Sequence, residues 1–104
     1  MKIVQVTYTT TAGYAAQNQA NIKQVMADLQ KMDHGGINYN ACVQADGKTF
    51  VHRAFLRSEE DDKTLNTLPS FISFQQQLKA SGPEVPPKVE LLTLVESSSA
   101  IFNH

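Results

Sequence analysis

The chain opens on a short alternating run. Residues 2–8 switch between polar and apolar side chains and are rich in β-branched residues, which predicts a strand. Residues 9–13 break the alternation, and their threonines offer hydroxyls that would cap a following helix. Over residues 14–32 the apolar positions Ile22, Val25, Met26, Leu29 and Met32 recur at helical spacing, with Gln17, Lys23, Gln24, Gln30 and Lys31 between them. The pattern predicts an amphipathic helix with one buried stripe. His34-Gly35-Gly36 is expected to end it, glycine supplying the left-handed backbone that closes helices.

Residues 37–45 and 48–56 read as strands separated by Asp46-Gly47, the signature of a type I′ hairpin. Pairing Ala45 with Lys48 sets Val43 opposite Phe50, Ala41 opposite His52, Tyr39 opposite Ala54 and Ile37 opposite Leu56, all on one face. The other face then holds Asn38, Asn40, Cys42 and Gln44 opposite Phe55, Arg53, Val51 and Thr49. Ser58 followed by four acidic residues marks a helix start, since the serine can cap and the acids suit the positive end of the helix dipole. Pro69 divides that helix, giving a short piece to about Leu68 and a second piece that packs Phe71, Ile72, Phe74 and Leu78. Gly82-Pro83 stops it. Pro86-Pro87 reads as an extended linker, and residues 89–95 as a last strand apolar on both faces.

The element order is β-α-β-β-α-β, a split β-α-β arrangement. It predicts an α+β, ferredoxin-like domain over residues 1–97, with both helices on one side of an antiparallel sheet and residues 98–104 as a frayed tail. One sheet face is then bare. Apolar residues on both faces of 89–95 imply that a leucine or valine row stays uncovered in a monomer, and such a patch marks an interface. The expectation is a homodimer joined through the sheets, its interface including Asn40, Cys42, Val51 and Arg53.

Composition narrows the partners. The 104 residues carry a formal net charge of −1, and Lys and Arg are scattered, so no strong positive field exists to hold nucleic acid. RNA-recognition domains share this element order, but their glycine-aromatic pattern is absent and the bare face carries Asn and Gln where aromatics would stack. No run approaches the ~20 apolar residues of a membrane span, and Met1-Lys2-Ile3-Val4 opens no signal sequence, so a cytoplasmic protein is expected. Cys42 alone makes no internal disulfide and no cysteine-based zinc cluster. His34, His52 and His104 lie far apart, and the acids of residues 59–62 lack the spacing of a calcium loop, so no metal is expected.

The element order, with Asp46-Gly47-Lys48-Thr49-Phe50-Val51-His52, Phe71-Ile72-Ser73-Phe74 and Gly82-Pro83-Glu84-Val85-Pro86-Pro87, resembles the dimeric α/β-barrel superfamily over residues 2–97. More narrowly, the chain resembles the small antibiotic-biosynthesis-monooxygenase-like proteins. That resemblance implies two sheets paired face to face, and in each subunit a pocket between sheet and helices. It also implies a function among cofactor-independent oxygenases of phenolic compounds, haem degraders, decarboxylases or isomerases. Some of the oxygenases and haem degraders use a pocket tryptophan; this chain has none, a departure from their pattern.

Candidate site residues follow from both lines. The hairpin register puts His52 on the mostly apolar face, near Tyr39 and Ala41, where a neutral imidazole is placed to act as a general base or to hydrogen-bond a substrate hydroxyl. The alternative is a core histidine satisfied by the protein itself. Tyr8, Tyr14 and Asn18 lie where the first strand passes into the first helix, positioned to put polar tips into a pocket shared with Tyr39 and His52. Cys42 reads as a small filler on the interface face, and His34 as a residue interacting with a helix C-terminal dipole. Two functions remain open: an oxygenase-like enzyme acting without cofactor on an aromatic or enolisable compound, with His52 catalytic, or a non-catalytic dimeric module for ligand binding or assembly. A deep, partly polar pocket at His52 would favour the first, a filled core the second.

Overall fold

A computed structural model describes residues 1–102. The elements run β1 (Lys2–Thr9), α1 (Ala15–Met32), β2 (Ile37–Val43), β3 (Thr49–Leu56), α2 (Glu59–Asn66), α3 (Pro69–Ser81) and β4 (Val85–Leu92). The strands form one antiparallel sheet in the order β2-β3-β1-β4, the ferredoxin-like arrangement expected. Among the described residues, no helix is long and apolar enough to cross a membrane.

The β2-β3 register is the one expected, with Val43 opposite Phe50, Ala41 opposite His52 and Ile37 opposite Leu56. The turn that sets it differs. Only Gly47 is left-handed (φ 76°), and its N–H donates to the Gln44 carbonyl at 2.9 Å, so Ala45 and Asp46 form the centre of the turn. A type I′ turn needs positive φ at both central residues, which Asp46 lacks. The Asp46 carboxylate instead accepts from Lys48 N (3.0 Å), Thr49 N (2.8 Å) and Thr49 Oγ1 (2.5 Å), and these bonds hold its carboxyl below the usual range.

Alternation along the strands decides the core. Tyr8, Phe50, His52, Ala54 and Leu56 share the helix-covered face and are buried, packed with Val25 of α1, Leu65 of α2, and Phe74 and Leu78 of α3. Each fully buried Val, Leu or Phe among them contributes roughly 1.5–3 kcal/mol. Ile72, expected in this packing, is 38% exposed because it turns away from Phe74 and Leu78 on α3.

Helix termini depart from expectation at α1. Its N-cap is Tyr14, with no side-chain cap; the Thr10 hydroxyl is spent on the carbonyl of Thr11 at 2.9 Å. Its C-cap is Asp33, left-handed at φ 48°, in place of a glycine. Gly36 serves another purpose: a Cβ there would overlap the carboxylate of Asp61, which lies buried in the first turn of α2. Ser58 caps α2 as expected, its Oγ donating to Asp61 Oδ2 at 2.7 Å and accepting from Asp61 N at 3.4 Å. Pro69 and Gly82 bound α3 as expected.

β4 is displaced toward the N-terminus of its expected span. Pro86 and Pro87 lie inside it, tolerated because β4 is an edge strand, and Val95 lies beyond it, 97% exposed. Register sets Val89 beside Val6 and Leu91 beside Val4. These residues therefore point to the helix side of the sheet, where they stay 64% and 72% exposed because no helix reaches the β4 edge. The uncovered aliphatic row thus flanks the helices. The opposite face is mainly polar, with Gln5, Thr7, Asn40, Arg53, Lys88 and Glu90 around Val51, Phe55 and Leu92.

Within the expected tail, Ile101 and Phe102 make contacts with the domain. Asn38 Nδ2 donates to the Ile101 carbonyl at 2.8 Å, and the Arg57 guanidinium lies 5.9 Å from the Phe102 ring centroid. Since β4 and β2 are opposite edges, this segment spans the sheet's width; His104 lies outside the described residues.

Candidate functional site

Three elements meet at His52. The 2.0 period of β3 turns it toward the helices, β1–β3 pairing sets it beside Val6, and β2 brings Tyr39 alongside from the edge. Its ring is 4% exposed, and both nitrogens are engaged: Nε2 lies 2.7 Å from Tyr8 Oη, and Nδ1 lies 2.6 Å from Tyr39 Oη. Asn18 Nδ2 of α1 donates to Tyr8 Oη at 2.8 Å, so Asn18, Tyr8, His52 and Tyr39 form one buried chain of hydrogen bonds.

Burial sets the electrostatics. With no carboxylate against it, desolvation lowers the His52 pKa to about 4, so the imidazole is neutral near pH 7. Burial also raises the Tyr8 and Tyr39 hydroxyls above the usual phenol range. The chain therefore works by hydrogen bonding between neutral groups. Aromatic rings hold it in place: Phe74 sits 5.4 Å from the His52 ring, Phe71 meets the Tyr39 ring edge-on at 6.0 Å, and Phe50 stacks on Tyr8 at 5.5 Å.

His52 and Tyr39 line an apolar cleft between the sheet and α3. Its larger lobe, about 480 Å³, is walled by Tyr8, Phe71, Phe74, Leu78, Pro87 and Val89. A smaller lobe of about 210 Å³ continues past Val4, Leu65 and Phe71, again with His52 and Tyr39 in its wall. The exposed β4 row is one side of this cleft. A groove of about 490 Å³ runs elsewhere, between α1 and the edge of β2, but it meets only Tyr39 of the hydrogen-bonded chain.

Of the residues singled out from sequence, Tyr8, Asn18, Tyr39 and His52 come together. Tyr14 does not join them: its hydroxyl accepts from Asn21 Nδ2 at 3.3 Å, on the α1 side of the core. His34 meets Asp61, with Nε2 2.5 Å from Oδ1. Its neighbour Asp61 has its carboxyl lowered, first by the Ser58 hydrogen bond. Cys42 is exposed on the polar face. Sequence reasoning missed the wall formed by Pro83, Pro86 and Pro87, because prolines before an apolar run signal a linker and carry no mark of an edge strand beside a cleft. Among the described residues, no group of three or more His, Cys, Asp or Glu side chains is placed to hold a metal.

No protein-family profile matches the chain, and no curated protein matches it significantly. Solved structures do match in shape. The crystal structure of an antibiotic biosynthesis monooxygenase aligns at a TM-score of 0.76 and 11% identity, covering 92% of this chain and 100% of that one. Rv0793 from Mycobacterium tuberculosis aligns at 0.76 and 17% identity, covering 94% and 98%. A mutant of SnoaB, a cofactor-independent oxygenase from Streptomyces nogalater, aligns at 0.67 and 15% identity, covering 95% and 98%. At these identities the likeness is one of fold: the chain has the fold of antibiotic biosynthesis monooxygenase-like structures, as its element order suggested.

Proposed function

We propose that this protein binds a flat, largely apolar molecule bearing an oxygen substituent in the cleft at His52, and acts on it as a cofactor-independent oxygenase. The observation that carries this reading is the buried Asn18–Tyr8–His52–Tyr39 chain, of which Tyr8, His52 and Tyr39 stand in the wall of a largely apolar cleft of about 480 Å³ that Gln75 and Lys79 also line. A few convergent polar groups in an apolar cavity are what orient a small molecule, and a core histidine needs no cavity beside it. The shared fold with SnoaB supports the choice of chemistry. An oxygenase without a cofactor must draw its electrons from the substrate: an activated CH2 and O2 become C=O and H2O, the carbon rising to the ketone level as both oxygen atoms are fully reduced. An aromatic or enolisable ketone meets that requirement, since losing a proton makes it electron-rich.

The working unit in this reading is a homodimer joined through the polar sheet face, with Asn40, Cys42, Val51 and Arg53 in the interface. That face carries no helix, and Val51 and Phe55 on it are only half-buried. Native mass spectrometry with added 2-naphthol tests assembly and binding together. Ions at twice the 11.5 kDa chain mass, with one probe per chain, are expected. A monomer overturns the dimer, and no saturable retention up to millimolar probe overturns the cleft. An oxygen electrode with anthrone then separates enzyme from binding module: uptake of O2 matched to ketone oxidation supports the first, and binding without uptake the second.

A further inference from the structure

Resting on that cleft, we propose that Tyr39 is the residue that meets the ligand, its hydroxyl donating a hydrogen bond to a carbonyl or oxyanion oxygen, and that His52, Tyr8 and Asn18 are positioning residues acting through it. A neutral imidazole has one N–H and one bare nitrogen, and in His52 both sit against tyrosine hydroxyls, so neither is free for a ligand. The direction of the chain is set at its buried end. Asn18 is wholly buried, and its Oδ1 has no partner. Turning the amide over would place the NH2 group where nothing accepts, leaving both its hydrogens orphaned; an unpaired carbonyl is the more tolerable of the two. Asn18 Nδ2 donates to Tyr8 Oη, and Tyr8, 1% exposed, has no acceptor for its own proton among the described residues but His52 Nε2; in the tautomer that satisfies it, Tyr8 donates to Nε2 and His52 Nδ1–H donates to Tyr39 Oη.

That sequence leaves one proton over. The Tyr39 hydroxyl hydrogen cannot return to His52, whose Nδ1 already carries one, and no other protein partner exists for it among the described residues. Tyr39 and His52 both stand in the wall of each cleft lobe. An acceptor oxygen on the ligand completes the count, and a hydrocarbon does not. A donor held in place before charge develops also stabilises the oxyanion of a ligand that has given its proton to solvent, as an enolate or phenolate. The ligand class is thus narrowed to flat ketones or oxyanions with an acceptor oxygen near the centre of the apolar surface.

The test compares 1-tetralone with tetralin, its hydrocarbon counterpart, by titration against the wild-type protein and against Tyr39→Phe and Tyr8→Phe. The wild type should bind tetralone more tightly than tetralin, and the bound carbonyl stretch should move to lower wavenumber in the infrared. Tyr39→Phe should weaken tetralone binding about three- to tenfold, the worth of one neutral hydrogen bond. It should leave tetralin binding unchanged and abolish the infrared shift. Tyr8→Phe keeps the Tyr39 hydroxyl and should retain part of the shift. If His52 meets the ligand instead, Tyr39→Phe frees Nδ1–H and tetralone binding is kept or tightened, which overturns the proposal. Should both compounds bind equally to every variant, Tyr39 has no such role although the cleft reading stands; should neither bind the wild type, both fail. The wild-type infrared shift needs no variant, so a misfolded Tyr39→Phe still leaves a decisive measurement, its absence counting against the proposal.

Discussion

Lowering the pH toward 4 should destabilise this protein through His52. The unfolded chain holds His52 at its ordinary value of 6.5, whereas burial in the folded state depresses it to about 4. Between those values the unfolded state binds the proton that the folded state refuses, so stability is complete above pH 6.5 and drains away as pH falls toward 4. At 1.36 kcal/mol per unit, the whole window is worth about 3 kcal/mol, and pH 5 should already cost about 2 kcal/mol relative to pH 7. For a domain of this size that lowers Tm by about 8 to 16 °C. The assay is thermal or urea unfolding at pH 7, 6 and 5, for the wild type and for His52→Gln, whose amide does not titrate. The other titratable groups are common to both proteins and cancel in the difference. The variant should start less stable, having lost one tyrosine's partner, but its stability should change less over this range. If wild type and variant lose the same stability between pH 7 and 5, His52 is not buried as a neutral link between Tyr8 and Tyr39, and the hydrogen-bonded chain is wrong.

Two backbone predictions are independent of the site. Gly36→Ala places a methyl group against the Asp61 carboxylate and should destabilise by about 1–3 kcal/mol, as overpacking does; a urea midpoint equal to the wild type would remove the close approach of Gly36 to α2. Gly47→Ala should lose about 1–2 kcal/mol from left-handed strain alone, because nothing lies within 4 Å of the added carbon. Gly47→Asn should recover part of that loss, and equal loss in both variants would point to a clash.

Local sequence carried a good deal of the fold. The hairpin shows how: alternation on either side of Asp46-Gly47 demanded that Phe50, His52 and Leu56 share an apolar face, and the register followed even though the turn itself is centred one residue earlier. Burial of that face tolerates only even shifts, so two different turns lead to one pairing. The Pro-Pro segment shows the limit. Whether proline sits in a linker or in a strand depends on whether its missing N–H faces a neighbour, and β4 is an edge only because β1 lies between it and β3.

The site divides in the same way. Periodicity determined that His52 and Tyr39 would lie on one face turned inward, because face is a property of spacing along one strand. What they touch is decided by the tertiary structure. The bonds from His52 to Tyr8 and Tyr39 span 44 and 13 residues, and the one from Asn18 to Tyr8 spans 10. Those contacts exist because β1 enters the sheet beside β3 and α1 crosses over it, whereas Tyr14, one turn before Asn18, is turned to Asn21 instead. Sequence pattern specifies which side a residue faces; only the packing of strands and helices distant in the chain specifies its partners, and so whether a buried histidine fills the core or supports a cleft.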